Sequence, residues 1–328
     1  MDSSSLKLAQ SFVKDAQKAS KGGWFSKPEW DLAAQYWDKA ATAFKAGRHF
    51  EQAADCYSKA SAAYVQINTV YMAAKCCENA GILAEQQLKD PAKAIEYYSR
   101  ASDLFLSQGS SPDKAAELME KAAKACEGVD TEKAIQLHYN ALSIYENEDR
   151  GRFGVETFRK TTGYLIEQSR LNEAIEVQRR LVAICEQTNN QAELNKCYLG
   201  ILIITLAFGD EVQAGKCMNE FVQNDMFMRS REAYVADGLM QAFSAGDEEA
   251  LQGYAEDQTL SFLDGSVGRL AKKIRIPGAR RIAKKQPAPP LPSQAGHPIQ
   301  SQSPGSFPLP PPAAPIAGVD DDDEDDLL

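Results

Sequence analysis

KPEWDLAAQYWDKAATAFKAGRHFEQAADCYSKASAAY (27–64) holds two copies of one pattern, in which a small residue stands seven places before a second small or apolar one. The pairs here are Ala33/Ala40 and Ala53/Ala60, and the pattern runs on as Ala73/Ala80, Ala94/Ala101, Ala115/Ala122, Ala134/Ala141 and Ala174/Leu181. Around Gly154 and Thr161 the motif is degraded but the step, about twenty residues, is kept. Seven residues are two helical turns, so each pair marks a stripe where a neighbouring helix approaches closely. Such a step leaves room for one helix of about 14–16 residues and a short turn. Two steps make an antiparallel hairpin, and stacked hairpins make a solenoid. The expected fold is all-α: a TPR-like twisted solenoid over 1–190, closed by a C-terminal helical bundle over 191–268.

Outside the repeats the chain changes character at both ends. Residues 6–20 carry an amphipathic helical pattern, which GGWFSKP (22–28) breaks with two large aromatics inside the break. Turns read at Ala46–Arg48, Lys89–Pro91, Gly109–Pro112 and Gly128–Thr131, with Asp90, Ser111 and Thr131 as N-caps and Pro91 and Pro112 at first helical positions. Further helical patterns cover 191–208, 210–223, 230–245 and 247–262. From Gln286 the composition shifts: 11 of the 15 prolines fall in 287–315, so 286–328 is expected to be a disordered Pro-rich linker with an acidic tip.

The formal charge of −10 is concentrated at that tip, DDDDEDDLL, which holds seven acids; the rest has 36 bases against 39 acids. The segment 269–285, RLAKKIRIPGARRIAKK, carries eight bases and no acid. It lacks the aromatic interleaving of a nucleic-acid reader, so contact with anionic membrane or with the acidic tip is expected and no nucleic acid is. The PPLP and PLPPPAAP runs suit a WW or SH3 ligand or a plain spacer. Seven cysteines without a CxxC pair fit a reduced cytosolic protein. The N-terminus has no signal-peptide run, and YLGILIITLAF (198–208) is too short to span a bilayer and reads as a buried helix. Three scattered histidines, no phosphate loop and no nucleophile motif give no reason to propose an enzyme, a metal site or a cofactor. Cys76-Cys77, being adjacent on a helix, face different ways and read as packing residues.

The repeat is too long for half of a tetratricopeptide unit, and the WxxLGxxY signature is missing. With KDPAKAIEYYSRASDLF (89–105) and VDTEKAIQLHYNALSIYENEDR (129–150), the opening stretch resembles the family of soluble NSF attachment proteins, adaptors that recruit the ATPase NSF to SNARE complexes. The likeness covers 1–285, and Lys27-Pro28 with IRIPGARRIAKK resembles the gamma branch; the insertion 286–319 departs from it. The resemblance implies a cytoplasmic adaptor peripherally bound to membranes, a monomer on its own, with several copies around one SNARE bundle. A general TPR-like scaffold or co-chaperone is the alternative.

It also implies three sites. Trp24 and Phe25, flanked by Lys21 and Lys27 and close to Trp30, form a loop that touches membrane; a hydrophobic staple onto the first hairpin is the other reading. Arg48, Arg159, Lys160 and Lys196, at turns and helix starts of the concave face, meet the acidic SNARE bundle, although Ser110 and Glu117 stand where the family often has further bases. Asp247, Glu248 and Glu249, opening the last long helix, and Asp325, Asp326 and Leu327 at the tip engage NSF, the acids at 247–249 also suiting a helix N-terminus.

Overall fold

The computed structural model describes residues 3–21, 27–107, 111–147 and 150–277. Among them there are helices and turns and no strand. The first ten helices are α1 (Ser3–Lys21), α2 (Trp30–Ala46), α3 (Phe50–Gln66), α4 (Val70–Leu83), α5 (Pro91–Ser107), α6 (Pro112–Cys126), α7 (Thr131–Asn147), α8 (Gly151–Glu167), α9 (Leu171–Gln187) and α10 (Gln191–Phe208). Each packs antiparallel on the helix before it.

The twenty-residue step has a backbone cause. Arg48, Asn68, Ser169, Asn189 and Gly209 all have positive φ, and the next residue donates its N–H to a carbonyl five places back: His49 to Phe44, Thr69 to Tyr64, Arg170 to Leu165, Asn190 to Cys185, Asp210 to Thr205. This is the Schellman closure, which satisfies the helix's last carbonyls and turns the chain sharply. Four residues on, the first small residue of the next pair closes the new helix: Ala53 N–H bonds His49 O, Ala73 bonds Thr69 and Ala174 bonds Arg170. Turns this tight leave 17 residues to α2, α3, α8 and α9, and α5 and α7 have the same length, slightly more than the spacing predicts.

Both members of all seven pairs have no exposed surface. Where an approach is closer still, glycine replaces alanine. A Cβ on Gly154 would sit 2.8 Å from the Tyr145 ring, and one on Gly81 2.7 Å from the ring of Tyr98.

Long polar side chains tie together helices two apart, at the same position in successive hairpins. Glu78 of α4 meets Lys121 of α6 at 2.9 Å, Glu120 of α6 meets Lys160 of α8 at 3.1 Å, and Arg159 of α8 pairs with Glu193 of α10. The odd helices do likewise: Glu146 of α7 meets Arg180 of α9 at 2.6 Å. Even and odd helices therefore form two layers, each laced by its own ion pairs, with the small-residue stripes between them.

After α10 come α11 (Glu211–Phe221), α12 (Asp225–Met228), α13 (Arg231–Ala245), α14 (Glu248–Ala255), a 3-10 turn (Gln258–Phe262) and α15 (Gly265–Ala271). α10 is buried almost all round and packs on α9, α11, α13 and α15. Tyr198 of α10 stacks on Phe221 at 4.2 Å and meets Phe227 edge-on at 5.2 Å, which fixes α11 and α12 against it. One apolar core runs from α4 to Ile274, and a second fills α1–α4. Cys76 lies in the second and Cys77 in the first, as their opposed directions require.

Three local expectations need correction. Asp90 caps its helix through the Lys93 N–H at 3.1 Å, but Ser111 makes no such bond, and Asp130 rather than Thr131 caps α7, through the Lys133 N–H at 3.0 Å. The pattern over 247–262 is two elements. Asp257 accepts from both the N–H (2.8 Å) and the hydroxyl (2.6 Å) of Thr259, which ends α14 and restarts the chain as a 3-10 turn. Asp247–Glu249 thus opens a helix of 8 residues, with α15 still to follow.

Candidate functional site

At the N-terminal loop, Glu29 N–H bonds Ala19 O at 2.9 Å, which pins the end of α1 to the start of α2. The loop that joins them contains residues 22–26, which lie outside the described residues. Lys21 and Lys27 are exposed at its two feet, while Trp30 is half-buried against the core of the first hairpins. Trp24 and Phe25 lie outside the described residues, as do 278–285 of the basic segment and Asp325, Asp326 and Leu327.

Arg159 and Lys160 sit in the middle of α8 and Lys196 in the second turn of α10, rather than at turns or helix starts; only Arg48 occupies a turn. The lacing of even helices brings Arg159, Lys160 and Lys196 together. Glu193, nearly buried, accepts from Arg159 Nε at 2.8 Å and from its Nη2, and it lies 3.8 Å from Lys196 Nζ. The hydrogen bonds to Glu193, more than its charge, push the Arg159 guanidinium further up from its ordinary value. Arg159 also meets Glu156 at 3.6 Å, and Lys160 is held by Glu120. Three bases are thus matched by three carboxylates. Glu156 with Arg159 and Glu193 with Lys196 are i,i+3 pairs open to sequence reading, but spacing does not reveal that Glu193 also reaches Arg159 or that Glu120 reaches Lys160, 34 and 40 residues away.

Arg48 is some distance along the even layer, exposed, and has no ion pair among the described residues. Arg48 has a φ of 61° at the turn that closes α2.

The acids at 247–249 gain neighbours that sequence reading missed. Asp247 caps α14 through the Ala250 N–H at 2.9 Å, with Glu248 and Glu249 in the first turn. Gly215 of α11 approaches the Met240 methyl of α13, 3.7 Å from an added Cβ. Because α11 runs back along α10 while α13 runs forward, the start of α11 and the end of α13 share one end of the bundle. Asp210 and Glu211 therefore join Asp247, Glu248 and Glu249 in an acidic corner, with Asp210 capping α11 through the Gln213 N–H at 2.8 Å. The missed signal is the cap itself: Gly209-Asp210 and Gly246-Asp247 are the same αL-glycine and aspartate pair.

Burial shifts several of the ionisable groups, while a hydrogen bond with Cys197 lowers the Cys185 thiol. Burial pushes the Cys56 thiol up to about 12 and Cys76 higher still. Burial also holds His138 below its ordinary value despite a 3.0 Å contact from Nε2 to Glu127. No group of three or more metal-ligating side chains occurs among the described residues, and none of their helices is long and apolar enough to cross a membrane.

The profile of the family described as "Soluble NSF attachment protein, SNAP" matches residues 7–264. The gamma-soluble NSF attachment protein of Dictyostelium discoideum is 30% identical over 271 residues, 81% of this chain and 82% of the relative. That of Arabidopsis thaliana is 32% identical over 249 residues, 75% of this chain and 84% of the relative. The alpha-soluble NSF attachment protein of Mus musculus is 25% identical over 178 residues, 52% of this chain and 58% of the relative. With a match that runs from α1 through the segment leading into α15, the chain belongs to the soluble NSF attachment protein family.

Proposed function

We propose that this chain is an adaptor that binds SNARE complexes and recruits the ATPase NSF for their disassembly in vesicle trafficking. The carrying observation is the family match over 7–264, which spans the base cluster and the acidic corner alike. In this reading Arg48, Arg159, Lys160 and Lys196 face the acidic SNARE rod, and attraction between them speeds and orients docking. Asp247, Glu248 and Glu249, extended by Asp210 and Glu211, face bases on NSF. The tip acids Asp325 and Asp326 with Leu327 contribute to the same end. Trp24 and Phe25, with Lys21 and Lys27, hold the membrane, where amphipathic rings and lysines are favoured at the interface. Several copies around one rod gain avidity without any new contact. Hydrolysis belongs to the ATPase.

The test is a pull-down of NSF by the chain in the presence of a soluble SNARE complex, comparing the full chain, an Asp247→Lys/Glu249→Lys variant and a chain lacking 320–328. The full chain forms the ternary complex, and both altered chains lose NSF while keeping the SNARE complex. Absence of any ternary complex with the full chain overturns the reading.

A further inference from the structure

Two of the seven cysteines, Cys185 and Cys197, meet between α9 and α10. Cys185 lies in the last turn of α9 and Cys197 in the second turn of α10. The Asn190 N–H donates to Cys185 O at 2.9 Å, which closes α9 and turns the chain back along it. Both side chains are buried in the same core, 1% and 2% exposed, and their thiols are hydrogen-bonded to each other. Other thiols meet different groups. Cys77 meets the Ser61 hydroxyl at 3.1 Å, Cys126 the Asp130 carbonyl at 3.4 Å and Cys217 the Arg179 guanidinium at 3.5 Å.

In the pair, Cys197 donates and Cys185 accepts. The bond holds the Cys185 thiol below its ordinary value against burial, and the same bond with burial holds Cys197 well above it. The pair therefore ionises as a unit, with the charge on Cys185 and the remaining proton on Cys197, and the nearby Arg159 guanidinium favours that charge. Burial pushes the other five thiols up, and the thiolate is the reactive form.

A small cavity of about 20 Å³ reaches Cys197, and its wall also carries Arg159, Lys196, Gly200 and Gln178. Gln178 is 5% exposed, and its Oε1 is buried with no hydrogen-bond partner among the described residues. Gly200 keeps the space beside it open, since a Cβ there would stand 3.9 Å from that oxygen. A cavity of this size holds one molecule about as large as water. The orphaned acceptor asks for an O–H donor. Hydrogen peroxide, little larger than water, is both donor and oxidant.

We propose that Cys185 and Cys197 are a peroxide-oxidised dithiol that closes to a reversible disulfide tying α9 to α10. From the singly ionised pair, the proton passes along the hydrogen bond to Cys185, and the bared Cys197 sulfur attacks one peroxide oxygen. The O–O bond breaks, Cys197 becomes a sulfenic acid, and the leaving hydroxide takes the Cys185 proton to form water. The Cys185 thiolate then attacks the Cys197 sulfur, the S–O bond breaks, hydroxide leaves and the S–S bond forms. Two electrons pass from the sulfurs to the peroxide, whose oxygens end as one water and one hydroxide. A small-molecule thiol reverses the product by exchange. Glu193 and Lys196 precede Cys197 on α10, so the disulfide fixes the stretch of helix that carries them. Its formation does not depend on which partner the chain binds.

The full chain, reduced and freed of reductant, is treated with hydrogen peroxide. Remaining thiols are blocked with N-ethylmaleimide in denaturant, and tryptic peptides are read by mass without reduction. Trypsin cuts after Arg180, Lys196 and Lys216, which puts Cys185 (181–196) and Cys197 (197–216) on separate peptides. The expected result is these two peptides joined, two hydrogens lighter than their sum, at peroxide levels where the other five cysteines still take up maleimide. Dithiothreitol separates them. The unfolding midpoint of the oxidised chain rises by about 5 °C, because the crosslink restricts the unfolded chain. Cys185→Ala and Cys197→Ser each lose both the linked peptide and the shift. A parent chain in which the linked peptide is absent, or appears only once the other five cysteines are oxidised, overturns the proposal whether or not the variants fold.

Discussion

Glu193→Gln tests whether the α8–α10 bases are a binding surface held in check by their own carboxylates. Glu193 is bonded to Arg159 and lies 3.8 Å from Lys196, so a partner carboxylate that seats on Arg159 approaches within about 6 Å of it. Two like charges at that distance repel by about 0.7 kcal/mol at the dielectric of water and about 2.8 kcal/mol at an effective value of about 20. Because Arg159 is partly exposed and salt screens over about 8 Å, the lower part of that range applies. The expected gain in affinity for a soluble SNARE bundle is about threefold to tenfold, most of it in the association rate. The change has a cost in stability. Gln keeps one oxygen for Arg159 Nε but loses the charge, and a charge-assisted hydrogen bond is worth about 1.5–3 kcal/mol, so a loss of about 1–2 kcal/mol follows. Stopped-flow association at two salt concentrations, with thermal unfolding of the same samples, reads both quantities. An unchanged or slower association rate in a folded variant refutes the reasoning and returns Arg159 and Lys196 to a purely structural role.

Two further outcomes follow from the packing. Gly81→Ala drives a methyl to 2.7 Å from the ring of the fully buried Tyr98, at an overpacking cost of about 1–3 kcal/mol against a helix-propensity gain of up to about 1 kcal/mol. The net is a destabilisation of about 1–2 kcal/mol in thermal melts, and a rise in stability contradicts the close approach of α4 and α5. Glu78 supplies a pH dependence. Burial raises its pKa, but the bonds and charges of Lys75 and Lys121 outweigh burial and set it below the usual carboxylate value of 4.5. A carboxylate so depressed stabilises the fold above its unfolded pKa, and that contribution disappears as pH falls through the folded value. The stability difference between parent and Glu78→Gln, read by urea unfolding, is therefore largest near neutral pH and shrinks below about pH 4.5. A difference that stays constant or grows on acidification contradicts the linkage.

The alanine step was legible because two physical requirements coincide in it: a stripe small enough for close helix approach, and a residue that closes the first turn. Its turns were less legible. Glycine marks αL closure at Gly128, Gly209 and Gly246, but Arg48, Asn68, Lys89, Ser169 and Asn189 adopt the same conformation without advertising it. The π-helical turn Ala84–Leu88 after α4 left no signal, since AEQQL has ordinary helix-forming composition. Within the candidate sites, bases were found one at a time by type. The i,i+3 partners of Arg159 and Lys196 were open to a local reading, but the Arg159–Glu193 and Lys160–Glu120 pairs join residues 34 and 40 apart, a property of the lacing and not of any local pattern. The same holds for Asp210 and Glu211, which join Asp247–Glu249 only because α11 and α13 run in opposite directions along α10.

That shared helix bears on how the proposed adaptor transmits load. α10 carries Lys196 near its start and ends at Gly209, where Asp210 opens the acidic corner, and between them Leu199, Ile201, Leu202, Ile203 and Ile204 have no exposed surface. A helix gripped on every side by α9, α11, α13 and α15 has no polar face to slide and no proline or π turn at which to bend. The twelve helical steps from Lys196 to Phe208 span about 18 Å. In the proposed function a torque applied at the acidic corner therefore reaches the SNARE-facing bases of α8 and α10 through a rod without a hinge. α8–α10 would then pass the motor's work to the bound bundle.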